Sequence, residues 1–291
     1  MTRIAIIGFG EAGLIFAQDL AGAAQISVWD KKFVNQETAH LRGRAKQIGV
    51  RPADSLTDVL IDADLILSFV TASNALDVAE QAAPLMCAGQ VFLDFNSVSP
   101  VTKRAAGHAI AKGAGEYLDV AVMAPVPPKR LDTPLLMGGR VAPRVASLLT
   151  SLGCSNVHAA SENIGDVSAI KMCRSVMIKG LEALTTECLS AARQYGVEQV
   201  VLASLHASFP SLGWNDQLPH YLISRVAEHG LRRSEEMREV VKTLEDAGVT
   251  ASMSNATQKV QADLPLKMAS KGINYNDFMP FVWQDAVDKL K

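Results

Sequence analysis

From its first residues the chain alternates short aliphatic runs with segments of helical period. Residues 3–7 (RIAII) read as a strand, 11–20 as a helix that Gly22 is placed to end, and 25–29 as a second strand. Residues 64–70 (DLILSFV) and 90–95 (QVFLDF) are apolar almost throughout, with helical patterns over 73–86 and 99–112 after them. Continuous apolar strands separated by helices predict a parallel sheet covered on both faces. Strands over 117–123 and 134–137 follow, joined by the proline-rich turn MAPVPPKRLDTP, and then a helix over 141–152. Beyond about residue 157 no strand pattern is seen. Residues 166–195 form one long periodic segment, and Ile170, Cys173, Met177, Leu181, Leu184, Cys188 and Ala192 recur along it at the spacing of a core-facing helical stripe. Further helices are expected over 200–208, over 221–247 with a break at Gly230, and over 251–268. The pattern predicts an α/β domain over 1–160 and an all-helical domain over 161–291.

Composition narrows the class. The 291 residues are 48 % hydrophobic and 20 % charged, enough apolar surface for about two globular cores. A formal net charge of -2 supplies no basic field for nucleic acid or an anionic membrane. No stretch approaches the roughly 18 apolar residues of a membrane span. Arg3 and the apolar residues after it superficially resemble an export signal, but glycines and Glu11 interrupt the run. The four cysteines lack the close spacing of a zinc or redox site and read as reduced, mostly buried thiols of a cytoplasmic protein. No metal-ligand cluster emerges.

Chemistry enters with IIGFGEAG. Gly8, Gly10 and Gly13 have the GxGxxG spacing between a strand and a helix, where the first glycine allows a tight turn, the second a close approach to pyrophosphate and the third close packing of helix on strand. Phe9, Glu11 and Ala12 complete a loop whose amides face an anion at the helix N-terminus. Asp30, at the end of the second strand, is placed to accept the adenosine ribose hydroxyls. This predicts a Rossmann doubly wound domain that binds NAD. Lys31 and Lys32 could neutralise a 2′-phosphate, which leaves NADP open.

With these motifs, DFNSVSP (residues 94–100), DVAVMAPVPP (residues 119–128) and GDVSAIKMCRS (residues 165–175), the chain resembles the β-hydroxyacid dehydrogenases, the family of 3-hydroxyisobutyrate and 6-phosphogluconate dehydrogenases. The resemblance implies hydride transfer between nicotinamide and a carbon β to a carboxylate. It makes Lys171 the proton-transfer residue, Ser97 a ligand of the substrate carboxylate and Asn96 a neighbour of the nicotinamide. Val70, Thr71 and Asn74 would line the cofactor. It also implies that the helical half completes the active site and forms a homodimer. Each polar residue has a local alternative: Ser97 could cap the helix after it, Asn96 could bond nearby backbone, and Thr71 could cap a helix.

Departures from the family pattern mark a divergent subfamily. Pro127 and Pro128 replace glycines whose amides would hold a carboxylate. Ser175 stands where the family has asparagine, and Arg174 precedes it. On a helix Lys171, Arg174 and Ser175 share one face. Partial burial and Arg174 would lower the lysine from its ordinary pKa of about 10.4 toward a useful base, or Arg174 would bind an acid group of the substrate. Arg232 and Arg233 fall near a second lysine of the family; they either bind an acidic substrate or pair with Glu235 and Glu236. Two other functions stay open: imine reduction on the same fold, and a dinucleotide-binding sensor without turnover.

Overall fold

The computed structural model describes residues 1–34 and 40–290, which divide into two compact units, Met1–Lys171 and Met172–Lys291. The first unit begins with β1 (Arg3–Ile7), α1 (Glu11–Leu20), β2 (Gln25–Trp29), α2 (His40–Gln47), β3 (Arg51–Pro52), α3 (Leu56–Leu60) and β4 (Leu65–Ser68). It continues with α4 (Ala75–Ala82), β5 (Val91–Asp94), α5 (Pro100–Ala111), β6 (Glu116–Val122), α6 (Val126–Lys129), β7 (Leu135–Gly138), α7 (Ala142–Ser151) and β8 (Val157–Ser161). The sheet order is β3-β2-β1-β4-β5-β6-β7-β8. All neighbours are parallel except β6 and β7. The expected doubly wound sheet is therefore present, extended by one antiparallel step.

Burial on both faces explains the unbroken apolar strands. Ile4, Ile6, Leu65 and Leu67 join one core, while Ala5, Ile7, Ile66 and Phe92 point into the other. Strand order reverses between β1 and β4, so the loops after them open a crevice at the carboxyl ends of the strands.

Several elements depart from the sequence reading. β8 is a strand where none was expected; at the sheet edge its residues are largely exposed, so it has no apolar run to betray it. The segment 73–86 is helical in three pieces, α4 between 3₁₀ turns at Ala72–Asn74 and Ala83–Leu85, the second with Pro84 in its first turn. The proline-rich turn folds into α6, with Pro127 and Pro128 in the first turn, where an N–H would have no helical partner anyway.

α8 (Asp166–Tyr195) passes from the first unit into the second, followed by α9 (Glu198–Ser208), α10 (Leu218–Asp246), α11 (Ser252–Ser270) and α12 (Trp283–Lys289). α10 does not break at Gly230. A side chain there would collide with the Gln261 carbonyl, so the glycine serves a close crossing of α10 and α11. Leu189, Leu202, Ile223, Trp214 and Trp283 centre the core of this unit.

The α8 stripe corrects the sequence reading most sharply. Ile170, Met177, Leu181 and Leu184 are 49 %, 64 %, 39 % and 54 % exposed, Cys173 and Cys188 are exposed, and of the seven only Ala192 is buried. The buried side instead carries Ser175, Lys179, Glu182, Thr185 and Thr186. Those charges are matched within the unit: Glu182 by Arg233 and by Gln261 at 3.0 Å, Lys179 by Glu236 at 2.9 Å. Apolar periodicity reports which side avoids water, not what covers it, and the single chain leaves this side uncovered. The cysteine expectation also changes, since only Cys154 is buried and Cys87, Cys173 and Cys188 are exposed. Among the described residues no helix is long and apolar enough to cross a membrane, and no group of three or more His, Cys, Asp or Glu side chains is arranged to hold a metal.

Candidate active site

Gly8 follows β1 at φ +94°, a conformation that L side chains rarely adopt. Its N–H donates to the Trp29 carbonyl at 2.8 Å, and a side chain would strike the Phe69 carbonyl in the loop after β4. A side chain at Gly13 would strike the Gly8 carbonyl, so this glycine lets α1 lie against the turn. Gly10 is the N-cap of α1, and the space beside it is open to 4 Å. Tight turn, tight packing and an open helix N-terminus together fit a dinucleotide pyrophosphate. Phe9 is buried edge-on against Phe33, with ring centroids 5.8 Å apart, while Glu11 and Ala12 open the helix.

Asp30 anchors the neighbouring loop. One carboxylate oxygen accepts the Phe9 N–H at 2.8 Å and the other the Lys32 N–H at 2.9 Å. Each oxygen keeps lone-pair capacity for a ribose hydroxyl. Lys31 Nζ donates to Asn74 Oδ1 at 3.3 Å, and Asn74 Nδ2 to Thr71 Oγ1 at 2.5 Å. Lys31, Asn74 and Thr71 thus link the loop after β2 to the one that holds Val70 after β4. Thr71 does not cap the turn it precedes with its side chain.

The motif at the end of β5 brings the expected polar residues together. Asn96 is buried; its N–H donates to Asp94 Oδ1 at 2.9 Å and its Nδ2 to Ser68 Oγ at 3.0 Å. Its Oδ1 has no hydrogen-bond partner among the described residues, an unmet acceptor that a ligand N–H or O–H would satisfy. Ser97 Oγ accepts from Lys171 Nζ at 2.6 Å. The cap of α5 is Ser99, which accepts the Thr102 N–H at 3.3 Å, so Ser97 is left for the lysine.

A buried ion cluster behind this motif was missed by sequence reasoning. Lys103 Nζ lies 3.2 Å from Asp94 Oδ1 and 3.2 Å from Asp119 Oδ1, and it donates to the Asp94 carbonyl at 2.5 Å. Tyr117 OH donates to Asp94 Oδ2 at 2.7 Å. Burial, then Asp94 and Asp119, push its phenol well above the ordinary tyrosine range. The available signal was Asp94 and Asp119 heading two motifs, with one lysine on the inner face of the helix after the first.

The remaining candidates lie in the second unit. Arg174 is exposed; Ser175 is buried and accepts from Lys179 Nζ at 3.2 Å. Arg232 pairs with Glu236 at 2.7 Å on the surface. Arg233 is engaged by both oxygens of buried Glu182.

Residues 3–158 match the family model described as the NAD binding domain of 6-phosphogluconate dehydrogenase, and 192–264 match one described as a domain of unknown function, DUF1932. A conserved hypothetical protein from Sinorhizobium meliloti 1021 is 40 % identical, with a TM-score of 0.79 over 100 % of this chain and 97 % of its own. The Mycobacterium tuberculosis 3-hydroxyisobutyrate dehydrogenase, solved with L-serine, has a TM-score of 0.73 at 15 % identity, covering 100 % and 99 %. An imine reductase from Streptomyces aurantiacus has a TM-score of 0.58 at 18 % identity, covering 99 % of each chain. The last two likenesses are of fold.

Proposed function

The chain belongs to the family of the 6-phosphogluconate dehydrogenase NAD-binding domain, and on that premise we propose that it is an NAD(P)-dependent oxidoreductase acting on a small β-hydroxy or β-keto carboxylic acid. The observation that carries the reading is the 2.6 Å contact from Lys171 Nζ to Ser97 Oγ. It puts an amine and a hydroxyl side by side in the loop system that follows the dinucleotide strands. When bound, the nicotinamide takes or gives the hydride. The protein must then handle one proton and one carboxylate.

Lys171, as the neutral amine, accepts the hydroxyl proton during oxidation; as ammonium it returns that proton to the alkoxide during reduction. Ser97 accepts from the lysine through a lone pair, which leaves its own O–H to donate to the substrate carboxylate. Asn96 Oδ1 receives a ligand N–H or O–H. α6 offers no amide at Pro127 or Pro128, so the carboxylate relies on side chains, with Ser97 first. A carbonyl or alcohol is favoured over an imine because an ammonium at Lys171 would repel a protonated iminium. NAD is favoured over NADP because the Asp30 carboxylate would repel a 2′-phosphate.

The uncovered apolar side of α8 supports the second part of the reading, a homodimer that buries Met177, Leu181 and Leu184. The free cysteines suit a reducing cytoplasm. The test is cofactor reduction, followed spectrophotometrically with NAD and NADP, over a panel of β-hydroxy acids, with cyclic imines assayed in the reducing direction. Turnover of imines alone, or tight cofactor binding with no turnover, would sink the reading.

A further inference from the structure

Asp94, the last residue of β5, and Asp119, midway along β6, are register partners on these parallel strands. Both are fully buried, and Lys103, 1 % exposed, lies between them. Two like charges on adjacent strands repel unless a cation separates them. Lys103 does so at 3.2 Å from each.

Each aspartate then holds a different piece of the candidate active site. Asp94 Oδ1 accepts the Asn96 N–H at 2.9 Å and so sets the turn that carries Ser97. Asp119 Oδ2 accepts the Gly165 N–H at 3.1 Å, the Ser168 N–H at 3.2 Å and Ser168 Oγ at 2.9 Å. Those are the donors that a capping side chain would satisfy at the start of α8. The residue before the helix is Gly165, which has no side chain, so an aspartate from β6 caps α8 in its place. Lys171 lies in the second turn of that helix.

We infer that Lys103 is a positioning residue for the reaction, an ionic tie that braces the Ser97 turn and the Lys171 helix relative to each other through Asp94 and Asp119. This role rests on Lys171 and Ser97 being the working pair proposed above. Lys103 touches neither substrate nor cofactor. It acts because proton transfer tolerates little displacement of the amine from its partner, and because both partners hang from strand aspartates that this ammonium bridges. Tyr117 completes the cluster by donating to the Asp94 oxygen that Lys103 does not take.

The test uses the full-length protein. Lys103→Met is the direct variant. Lys103→Met with Asp119→Asn restores the single formal negative charge of the cluster and so keeps a folded protein to measure, and Asp119→Asn alone is the control. Amide exchange is followed by mass spectrometry in peptides holding Asn96 and Ser168, with one holding β1 as reference. In both Lys103 variants the Asn96 and Ser168 peptides should exchange at least tenfold faster together, while the β1 peptide is unchanged. Asp119→Asn alone should open only the Ser168 peptide. Both Lys103 variants should lose at least tenfold in kcat with NAD affinity within twofold of the native protein. The inference is overturned if the double variant opens only the Ser168 peptide, or keeps the native kcat, or loses kcat only in step with NAD affinity. Should the native protein turn over no hydroxy acid, that result falls on the proposed function, and the exchange pattern still decides whether Lys103 ties the two segments.

Discussion

Lys171 and Ser97, 74 residues apart in sequence, meet at 2.6 Å between the amine and the hydroxyl oxygen. A lysine kept only to cover apolar surface with its stem would leave its ammonium to water. This one ends on a serine in another motif. Lys171→Met should therefore lower kcat by roughly 100-fold or more, the scale of a lost general base, with NAD affinity unchanged. A melting temperature that shifts while kcat holds would return Lys171 to a packing role.

Ser97→Ala tests the other end of the contact. If the serine O–H holds the substrate carboxylate in ground and transition states alike, the variant should raise KM by about tenfold, the order of one charge-assisted hydrogen bond, and change kcat less. The cap of α5 is Ser99, so the turn should survive the change. Equal losses of kcat and of NAD affinity would show a collapsed loop instead.

What the sequence made legible follows from the range of the interactions involved. The β1 loop could be read because Gly8, Gly10 and Gly13 answer local steric demands, and the structure shows the collisions that side chains at Gly8 and Gly13 would make. β4 and β5 could be read because strands buried on both faces have no polar alternation to confuse. The inner face of α8 could not be read. Lys179 and Glu182 are buried there because their partners, Glu236 and Arg233, arrive from α10 more than 50 residues later. Lys103 was missed for the same reason, since its aspartates stand on two strands and only the fold makes them neighbours. The residues that sequence patterns place well are those whose reasons lie within one turn or one strand.

Asp30→Ala should weaken NAD binding by on the order of 1 to 3 kcal/mol and narrow any preference over NADP. The carboxylate also fixes the Phe9 amide, so part of the loss will come from a looser phosphate loop. Asp30→Asn separates the two contributions, because an amide oxygen can still accept from Phe9 while the charge that repels a 2′-phosphate is gone. Calorimetric titration showing unchanged affinity and unchanged preference in both variants would remove Asp30 from the cofactor site.

The exposed side of α8 gives a prediction about assembly. A helix that leaves Met177 and Leu184 more than half exposed in the single chain has an unburied stripe of the kind that marks an interface. Light scattering should give twice the chain mass at micromolar concentration. Met177→Glu with Leu184→Glu should give monomers, because two copies would bring like charges together in a desolvated seam. A monomeric native protein would refute this.

Alkaline titration tests the buried cluster through Tyr117. Its phenol is held well above the ordinary value of 10.0, first by burial and then by Asp94 and Asp119. Between the unfolded and folded pKa values the native state binds more protons than the unfolded chain. The stabilisation is therefore complete below about pH 10 and declines as pH rises above it. Phenolate absorbance follows the titration. Tyr117 should ionise only as the first unit unfolds, in step with loss of circular dichroism. In Tyr117→Phe the phenolate signal that accompanies unfolding should vanish, and the decline of stability above pH 10 should flatten. Ionisation of Tyr117 before unfolding would show that water reaches the cluster, and with it the carboxylates that set Ser97 and cap α8.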